Sequence, residues 1–319
     1  MEIAFAPLEG ITGYIYRNAH HKYFGGIDKY YSPFIDARQT TCVKKKEIRD
    51  ILPENNKDII LIPQILAGNA DNFLRTAKII TDMGYLEINL NLGCPSKTVV
   101  TKGKGAGFLA KPDELDVFLY QIFEKTEADI SVKTRIGMDD PYEFEKLLKI
   151  YNKYPIKELI IHPRLQADYY KNEVKYDSFQ LAVERSNQVL CYNGDIVDCN
   201  SFQNVKNRFP SIEAIMIGRG LLQSPDLAQT LKGEKRAEKK DLYQFYETLL
   251  EEYSQYLSGE KNVMFKMKEV MIYITKAFTN HEKYEKNIKK SQHIKELKTY
   301  TDALFREQEL IDKSDLLLD

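Results

Sequence analysis

The sequence predicts an α/β fold, a (β/α)8 TIM barrel followed by a smaller C-terminal helical domain. Short apolar segments alternate with amphipathic segments eight times over about 230 residues, a pattern that fits a barrel better than an open sheet. After Gly233 the strand pattern stops and only helical spacing follows. A chain of 319 residues can hold one large domain and a second, smaller one.

The eight expected strands are short and apolar, and several end at a proline or a glycine. The third is an almost continuous apolar run, as expected of a strand that is buried on both faces. The expected strands are Ile3–Pro7, Lys29–Ser32, Asp58–Ile65, Tyr85–Asn91, Asp129–Thr134, Glu158–Pro163, Val189–Asn193 and Ala214–Gly218.

Helices are expected between the strands. Pro112, followed by Asp113 and Glu114, has the residue types that favour a helix start. The expected helices are Tyr14–Tyr23, Ala37–Asp50, Asn69–Met83, Pro112–Phe123, Tyr142–Tyr151, Tyr176–Arg185 and Asp198–Phe209. The charged segment Lys232–Lys240 reads as a linker, so we expect a barrel domain at 1–235 and a helical domain at 240–319.

The overall charge does not indicate a nucleic-acid partner, because the net charge is −1 and the sequence pI is about 6.6. Such a partner would need a local basic patch. The segment Lys276–Lys298 carries seven lysines against three glutamates. It is either a solvated helix face or an RNA-binding face, and charge alone does not decide between the two.

The chain start has no basic segment followed by a long apolar core, and no apolar run approaches the ~20 residues that span a bilayer. The four cysteines, Cys42, Cys94, Cys191 and Cys199, form no CxxC pair. These patterns predict a reduced cytoplasmic protein without a membrane partner and without a metal site.

The stretch Glu87–Pro95 contains the most reactive candidate group. Its apolar residues alternate with polar ones, as in a strand, and it ends at Gly93, Cys94 and Pro95. The glycine-rich segment Gly103–Gly107 follows and is expected to belong to a mobile loop. It lacks the spacing and the downstream acidic residue of a dinucleotide-binding fingerprint, so we expect no Rossmann site.

Polar residues recur where successive strands end, which is where barrel enzymes carry their chemistry. Several have a purely structural alternative: Gln64 could be a satisfied core amide and His162 a core histidine. A lysine at position 133 is costly to bury unless it faces an anionic or electron-rich group. The strand-end groups are Gln64, Asn91 with Cys94, Lys133 with Arg135, His162 with Arg164, Asn193–Asp195 and Gly218–Gly220.

The last two of these segments favour a phosphate site. Asn193–Asp195 and Gly218–Gly220 follow the seventh and eighth strands, the usual phosphate position of this fold. Glycine lets backbone N–H groups approach phosphate oxygens, and Arg219 can add charge-assisted hydrogen bonds. The alternative is two ordinary strand-to-helix turns.

These residues, taken in order, resemble the tRNA-dihydrouridine synthases. The matching segments are Ala6–Thr12 with Arg17, Gln64, Asn89–Lys97, Lys102–Gly107, Val132–Gly137, Ile161–Arg164, Asn193–Ile196 and Ile217–Gly220. The resemblance covers the whole barrel, and the helical C-terminal part also fits. It implies a flavin mononucleotide (FMN) barrel that reduces the C5=C6 bond of particular uridines in tRNA. NADPH, or NADH, would reload the flavin, and we expect a monomer.

The resemblance also implies site roles, residue by residue. Cys94 would protonate uracil C5 as general acid, and Asn91 would hold the uracil. The flavin ring would be contacted by Pro7, Leu8, Glu9, Gln64, Lys133 and His162. The phosphate would be held by Asn193, Gly194, Asp195, Gly218 and Arg219. Substrate RNA would be contacted by Arg135, Arg164 and Lys97.

Three positions depart from the family pattern. Leu8 stands where a methionine is common, a change that conserves volume. Glu87 replaces a common aspartate, and Pro163 replaces the glycine between histidine and arginine. Because proline fixes the backbone, the direction of Arg164 is in question. None of the three changes removes the proposed acid or the phosphate segments.

Two other functions remain open. The first is an FMN-dependent barrel oxidoreductase that acts on a free small molecule, as a dihydroorotate dehydrogenase does. The lysine-bearing helical domain speaks against it, since a small-molecule enzyme does not need that domain. The second is a non-catalytic RNA-binding barrel, which would have no use for Cys94, Lys133 and both phosphate segments together.

Overall fold

The structure is a computed structural model, and it describes residues 1–39 and 43–311. Cys42 and part of the helix expected at Ala37–Asp50 lie outside the described residues. So do the last eight residues of the expected helical domain, 312–319.

The strands of the described chain form one parallel sheet of ten segments. They are β1 Glu2–Phe5, β2 Lys29–Tyr31, β3 Ile35–Asp36, β4 Leu61–Ile62, β5 Gln64–Leu66, β6 Glu87–Leu92, β7 Asp129–Arg135, β8 Leu159–His162, β9 Leu190–Tyr192 and β10 Ala214–Ile217. Their order in the sheet is β3-β5-β6-β7-β8-β9-β10-β1-β2-β4.

The sheet closes into an eight-stranded barrel because two of the eight strands are each split into two segments. β2 and β3 are consecutive pieces of the second strand, and β4 and β5 are pieces of the third. β4 pairs with β2 while β5 pairs with β6, so the third strand joins both ends of the sheet. The expected parallel barrel is confirmed.

Pro63 explains why the expected strand Asp58–Ile65 is interrupted. Proline has no N–H to donate to a neighbouring strand. Its carbonyl still accepts the N–H of Asn89 at 2.9 Å, so pairing with β6 is kept. The strand therefore breaks at this residue, and Gln64 begins a new segment rather than ending the old one.

The helix expected at Ala37–Asp50 was wrong in its first part. Ile35 and Asp36 form β3, and the N–H of Ala37 donates to the carbonyl of Leu66 at 3.0 Å. Pairing with the third strand thus keeps this segment extended. Among the described residues of the expected helix, only those from Lys45 onward are helical.

The helices that follow the strands agree with the expected ones in type, and two of them, Tyr14–Tyr23 and Tyr176–Arg185, agree in both bounds. The barrel-associated helices are α1 Tyr14–Tyr23, α2 Lys45–Ile51, α3 Ala70–Asp82, α4 Lys97–Val100, α5 Pro112–Lys125, α6 Glu143–Tyr151, α7 Tyr176–Arg185, α8 Cys199–Arg208, α9 Arg219–Gln223 and α10 Leu227–Leu231. The later helices are α11 Lys239–Tyr256, α12 Glu260–Ile274, α13 Glu282–Lys290 and α14 Ile294–Glu307.

The chain divides into two compact units. The first consists of Met1–Pro7, Lys29–Gly194 and Lys206–Met216, and it contains nearly all of the sheet. The second consists of Leu8–Asp28, Asp195–Val205 and the chain from Ile217 onward. The domain boundary between residues 235 and 240 stays a prediction.

The second unit is built around aromatic rings on α1 and α11. Phe245 is fully buried, and its ring centroid lies 5.1 Å from that of Phe24, 5.5 Å from Tyr16 and 6.3 Å from Tyr23. Most of these contacts are edge-to-face, the arrangement that aromatic quadrupoles favour. This cluster fixes α1 against α11 inside the unit.

We expect Phe245→Ala to lower the free energy of unfolding by about 3–5 kcal/mol, because it removes a buried ring and leaves a cavity among the others. Urea unfolding followed by circular dichroism measures the change. Tyr142→Ala is the control, since the Tyr142 side chain is 87% exposed and should contribute little. A loss below about 1 kcal/mol for Phe245→Ala would contradict the assigned role of the cluster.

Candidate active site at the carboxyl ends of the strands

Residues in register on neighbouring strands form layers inside the barrel. Asn91 is in register with Lys133, which is in register with Ile160 and, through it, with Cys191. One layer towards the carboxyl ends, Arg135 is in register with His162. In a parallel sheet, residues in register point to the same face. The strand-end residues of the first unit therefore face the barrel interior at its mouth.

Three amides form a continuous hydrogen-bonded chain across this interior. The Gln64 amide donates to Asn89 Oδ1 at 2.7 Å, and the Asn91 amide donates to Gln64 Oε1 at 2.7 Å. Asn89 in turn donates to the hydroxyl of Ser131 at 3.0 Å. All four side chains are at least nine-tenths buried, so their polar atoms cannot bond to bulk water and are satisfied by one another instead. Gln64 is thus satisfied by its neighbours on the β5 and β6 side of the barrel.

The amide chain ends on the turn that carries Cys94. Asn91 Oδ1 accepts the backbone N–H of Gly93 at 3.0 Å and that of Cys94 at 2.9 Å. Because one side chain binds both N–H groups, the backbone at Cys94 is fixed relative to β6. Asn91 therefore orients the cysteine.

Neighbouring segments hold the carbonyls of the same turn. Arg135 Nε donates to the Gly93 carbonyl at 3.0 Å, and the N–H of Ala106 donates to the Cys94 carbonyl at 3.1 Å. Gln166 donates from its amide to the Pro95 carbonyl at 3.1 Å. Every residue of the turn is held by at least one bond from a different part of the barrel.

The glycine-rich segment Gly103–Gly107 was expected to belong to a mobile loop, and its mobility stays a prediction. Its last three residues begin a 3-10 turn, Gly105–Ala110, whose first five residues are buried. Gly105 has a φ of +55°, and a Cβ there would lie 2.9 Å from the Cys94 carbonyl oxygen and 3.0 Å from the Cys94 Cβ. The segment needs glycine because it packs directly against the cysteine turn.

Lys133 is mostly buried beside Cys94, and no hydrogen bond or ion pair of its amine is found among residues 1–39 and 43–311. Burial lowers the pKa of this amine to about 8, and the charge of Arg135 adds to the effect. Cys191 and Cys94 act in the opposite direction. The amine is therefore a cation without an acceptor, at the position where the sequence indicated an electron-rich partner.

His162 and Arg164 contact each other. Arg164 Nη1 lies 3.0 Å from His162 Nε2, and its Nε donates to the Asn172 carbonyl at 2.6 Å. Since a guanidinium can only donate, His162 Nε2 is the acceptor and the ring carries its proton on Nδ1. Arg164 is only 3% exposed. The side chain of Arg164, which follows Pro163, is thus packed against the barrel.

Arg135 was expected to contact RNA, and it lies buried among backbone carbonyls. It is 1% exposed and donates to the carbonyls of Gly93, Leu165 and Tyr169. Burial lowers its pKa. The ring of Tyr170 lies 5.3 Å from its guanidinium carbon. Arg135 therefore joins the cysteine turn to the segment that follows β8.

That segment also has its own anchor, Asp168. Its carboxylate accepts hydrogen bonds from the Lys175 amine, the Asn172 amide and the N–H of Leu165 at 2.6–2.9 Å. Burial alone would raise the pKa of Asp168, but these bonds hold it below its ordinary value. The segment between β8 and α7 is thereby a fixed wall of the mouth.

The other sequence-indicated residues of the first unit have simpler surroundings. Asn193 donates from its amide to the Met216 carbonyl at 2.8 Å. A Cβ at Gly194 would lie 2.9 Å from Val174, so the close packing there requires glycine. Pro7 is partly exposed, and Lys97 is exposed at the start of α4.

The second unit holds the remaining sequence-indicated residues. Arg219 donates to Asp195 at 3.0 Å, and both side chains are more than a third exposed. A Cβ at Gly220 would lie 2.1 Å from the Ile196 carbonyl oxygen, so only glycine allows α9 to approach this segment. Leu8 begins a tight turn in which its carbonyl accepts the N–H of Ile11, and Glu9 is exposed.

Sequence reasoning missed Asn89, Ser131, Gln166 and Asp168 as parts of the site. The alternation of Asn89 with Asn91 on one strand was a usable signal, because residues two apart share a face. Ser131 and Gln166 carry no such signal, since their partners are 42 and 71 residues away in sequence.

Residues 1–39 and 43–311 contain neither a metal-binding cluster nor a membrane-spanning helix. No group of three or more histidine, cysteine or acidic side chains there is arranged to hold a metal ion. No helix in those ranges is both long enough and apolar enough to cross a membrane.

Comparisons with known proteins agree with one another. Residues 4–312 match the family model described as dihydrouridine synthase (Dus). The tRNA-dihydrouridine synthase B of Pasteurella multocida (strain Pm70) is 28% identical over 232 residues, which cover 72% of this chain and 68% of that protein. The probable tRNA-dihydrouridine synthase 2 of Bacillus subtilis (strain 168) is 26% identical over 258 residues, 78% of each chain.

Solved structures show the same fold at low sequence identity. Morphinone reductase superposes with a TM-score of 0.52 at 11% identity, over 75% of this chain and 87% of that one. At such an identity the likeness concerns the fold alone.

We expect Lys133→Met to stabilise the protein most at and below neutral pH. The lowered pKa means that the unfolded chain binds a proton more readily than the folded one between about pH 8 and 10.5, so stability rises with pH over that range. Methionine removes the cost of the buried charge, a gain of about 2–3 kcal/mol at pH 7 that disappears by about pH 10.5.

Urea unfolding of both proteins at pH 7, 8.5 and 10.5, without added ligand, measures this gain. Lys57→Met, a change at an exposed lysine, serves as the control. A gain in the free energy of unfolding that stays constant with pH, or a loss at pH 7, would show that the charge of Lys133 does not destabilise the folded protein.

Proposed function

The chain belongs to the dihydrouridine synthase family, and we propose that it reduces the C5=C6 bond of specific uridines in tRNA to 5,6-dihydrouridine. As a member of this family it is a flavin-dependent oxidoreductase. We propose FMN as the flavin and NADPH as its reductant. The names of the relatives from Pasteurella multocida and Bacillus subtilis support tRNA as the substrate.

The residues at the barrel mouth fit a flavin. The amine of Lys133 is a mostly buried cation without an acceptor among the described residues, and an electron-rich ring at that position would supply one. A positive charge there favours the anionic reduced form of a flavin. We propose that Gln64 and His162 line the same ring, with Pro7, Leu8 and Glu9 at its edge.

The observation that carries the proposal is the fixed position of Cys94 beside Lys133. When bound, the flavin supplies a hydride for C6 of the uracil. Cys94 then donates its thiol proton to C5, which gains electron density as the double bond is lost. The hydrogen bonds to the cysteine turn fix the backbone that carries this thiol.

Asn91 has two tasks in this scheme. Its Oδ1 is occupied by the N–H groups of Gly93 and Cys94, so it positions the acid. Its Nδ2 carries two hydrogens, of which one is used on Gln64. We propose that the second donates to a uracil carbonyl.

We further propose that the ribityl phosphate is held by Asn193, Gly194, Asp195, Gly218 and Arg219. Arg219 would exchange its hydrogen bond with Asp195 for phosphate oxygens, an exchange that its partly exposed side chain allows.

The contacts to RNA are also proposals. Lys97 is exposed and free to meet phosphate. Arg135 and Arg164, which are buried, would act by shaping the mouth rather than by direct contact. We keep the proposed division into a catalytic domain at 1–235 and a tRNA-binding domain at 240–319, and we propose a monomer in the cytoplasm.

The absorption spectrum of the purified protein tests the proposal. We expect flavin bands that bleach with NADPH under anaerobic conditions and return on addition of unmodified tRNA. Free uridine and orotate, added separately, should not restore them. Re-oxidation by a small acceptor but not by tRNA would support a small-molecule oxidoreductase instead. Absence of flavin after reconstitution would leave only an RNA-binding barrel.

We expect Cys94→Ala to keep the flavin and tRNA binding but to lose product formation by about 100-fold or more, because the proton donor is removed while the turn remains. Dihydrouridine in tRNA, measured after incubation with NADPH, gives the readout. Cys199→Ala, at a cysteine on α8, is the matched control and should remain active. Normal product formation by Cys94→Ala would rule out the cysteine as the acid.

A further inference from the structure

Helix α12 presents an exposed aromatic ring between two lysines. Phe265 is 52% exposed, and it is the one phenylalanine among the large exposed apolar side chains of residues 1–39 and 43–311. The amine of Lys261 lies 5.8 Å from its ring centroid and that of Lys268 lies 5.9 Å from it. Positions 261, 265 and 268 share one face of the helix. The opposite face is buried in the second unit through Val263, Met264, Met267, Val270, Met271 and Ile274.

The two lysines of this face, Lys261 and Lys268, form no ion pairs within residues 1–39 and 43–311, although Glu296 is close enough for the charge of Lys268 to help lower its pKa. Lys268 instead donates to the carbonyls of Lys289 and Ser291 at the end of α13, which fixes its amine beside the ring. Glu269 is nearby, but it is paired with Lys266 at 2.7 Å. The face is therefore positive on both sides of an apolar surface.

A groove of about 630 Å³ adjoins the ring. Leu257 and Ile272 supply apolar surface, and Asn262, Lys266 and Glu269 supply polar groups at its edge. A flat aromatic face flanked by cations is the arrangement by which proteins bind unpaired nucleotides, with the base on the ring and the phosphates on the lysines. A protein partner would instead find an apolar area that is small and surrounded by positive charge.

The same helix contacts the segment that follows the first strand. Lys266 donates to the carbonyl of Gly10, and Glu269 lies 3.6 Å from the position of a Cβ on that glycine. Leu8 and Glu9, which we place at the flavin edge, belong to this segment. Within the second unit, α12 is thus bonded to the segment that contains Leu8 and Glu9.

We propose that the face formed by Lys261, Phe265 and Lys268 binds an unpaired nucleotide of the tRNA substrate. The base stacks on Phe265, and the adjoining phosphates contact the two amines. This inference rests on the proposed function, because it takes tRNA as the substrate. It names a different surface from the lysine-rich segment Lys276–Lys298 that the sequence indicated, where Lys289 is already paired with Glu285.

Binding of fluorescently labelled, unmodified tRNA to the flavin-loaded protein tests the assignment. We expect Phe265→Ala to weaken binding about 5- to 100-fold, since stacking of one base is lost. Phe265→Tyr should bind like the unchanged protein, because it keeps the aromatic face. Lys261→Ala should weaken binding and reduce the slope of log Kd against log salt by about one. Reduction of the flavin by NADPH should not change in any of these variants.

Two controls separate surface effects from misfolding. Tyr142→Ala removes an exposed ring from the residue before α6, and Lys57→Ala removes a lysine before the β4 strand. Both should bind tRNA normally. If Phe265→Ala also binds normally while the unchanged protein binds and reduces tRNA, the inference fails and the proposed function stands.

If the unchanged protein neither binds nor reduces tRNA, the proposed function fails and the inference fails with it. Sedimentation velocity tests the other occupant of this face. A dimer that Phe265→Ala converts to monomers, with tRNA binding unchanged, would assign the face to a second copy of the chain and overturn the inference.

Discussion

The hydrogen-bonded chain from Ser131 through Asn89, Gln64 and Asn91 is the interaction on which the site depends. Each amide in it can be satisfied only if the next one keeps its orientation, and the last one binds two N–H groups of the cysteine turn. In a buried setting an amide left without its partner costs about 1–3 kcal/mol. The strands β5, β6 and β7 thus determine where the Cys94 thiol lies.

Lys133 adds an opposing constraint, since its charge is unfavourable in the folded protein without a ligand. The neighbouring residues of its layer are fully buried: Ile160 is in register with Lys133, and Cys191 is in register with Ile160. Enzymes commonly hold such groups, because binding residues are placed for the ligand rather than for the stability of the fold.

The alternation of strands and helices could be predicted because it follows from local periodicity. The interruption at Pro63 and the strand at Ile35 could not, since both depend on which neighbour accepts or offers a backbone hydrogen bond. For the site, the strand ends indicated Gln64 and Asn91, whose side chains are hydrogen-bonded to each other. Asn89, by contrast, lies 25 residues from its partner Gln64 and 42 residues from its partner Ser131, and no sequence period connects such distances.

The close packing of Gly105 against Cys94 also bears on how a substrate binds. A loop that closes over its ligand loses conformational entropy on binding, and its closing rate limits association. Here the 3-10 turn that packs against the cysteine is already formed, and its residues from Gly105 to Leu109 are buried, so the entropy of ordering them is lost when the chain folds. This part of the mouth is preorganised, so a base that binds there does not have to order the 3-10 turn.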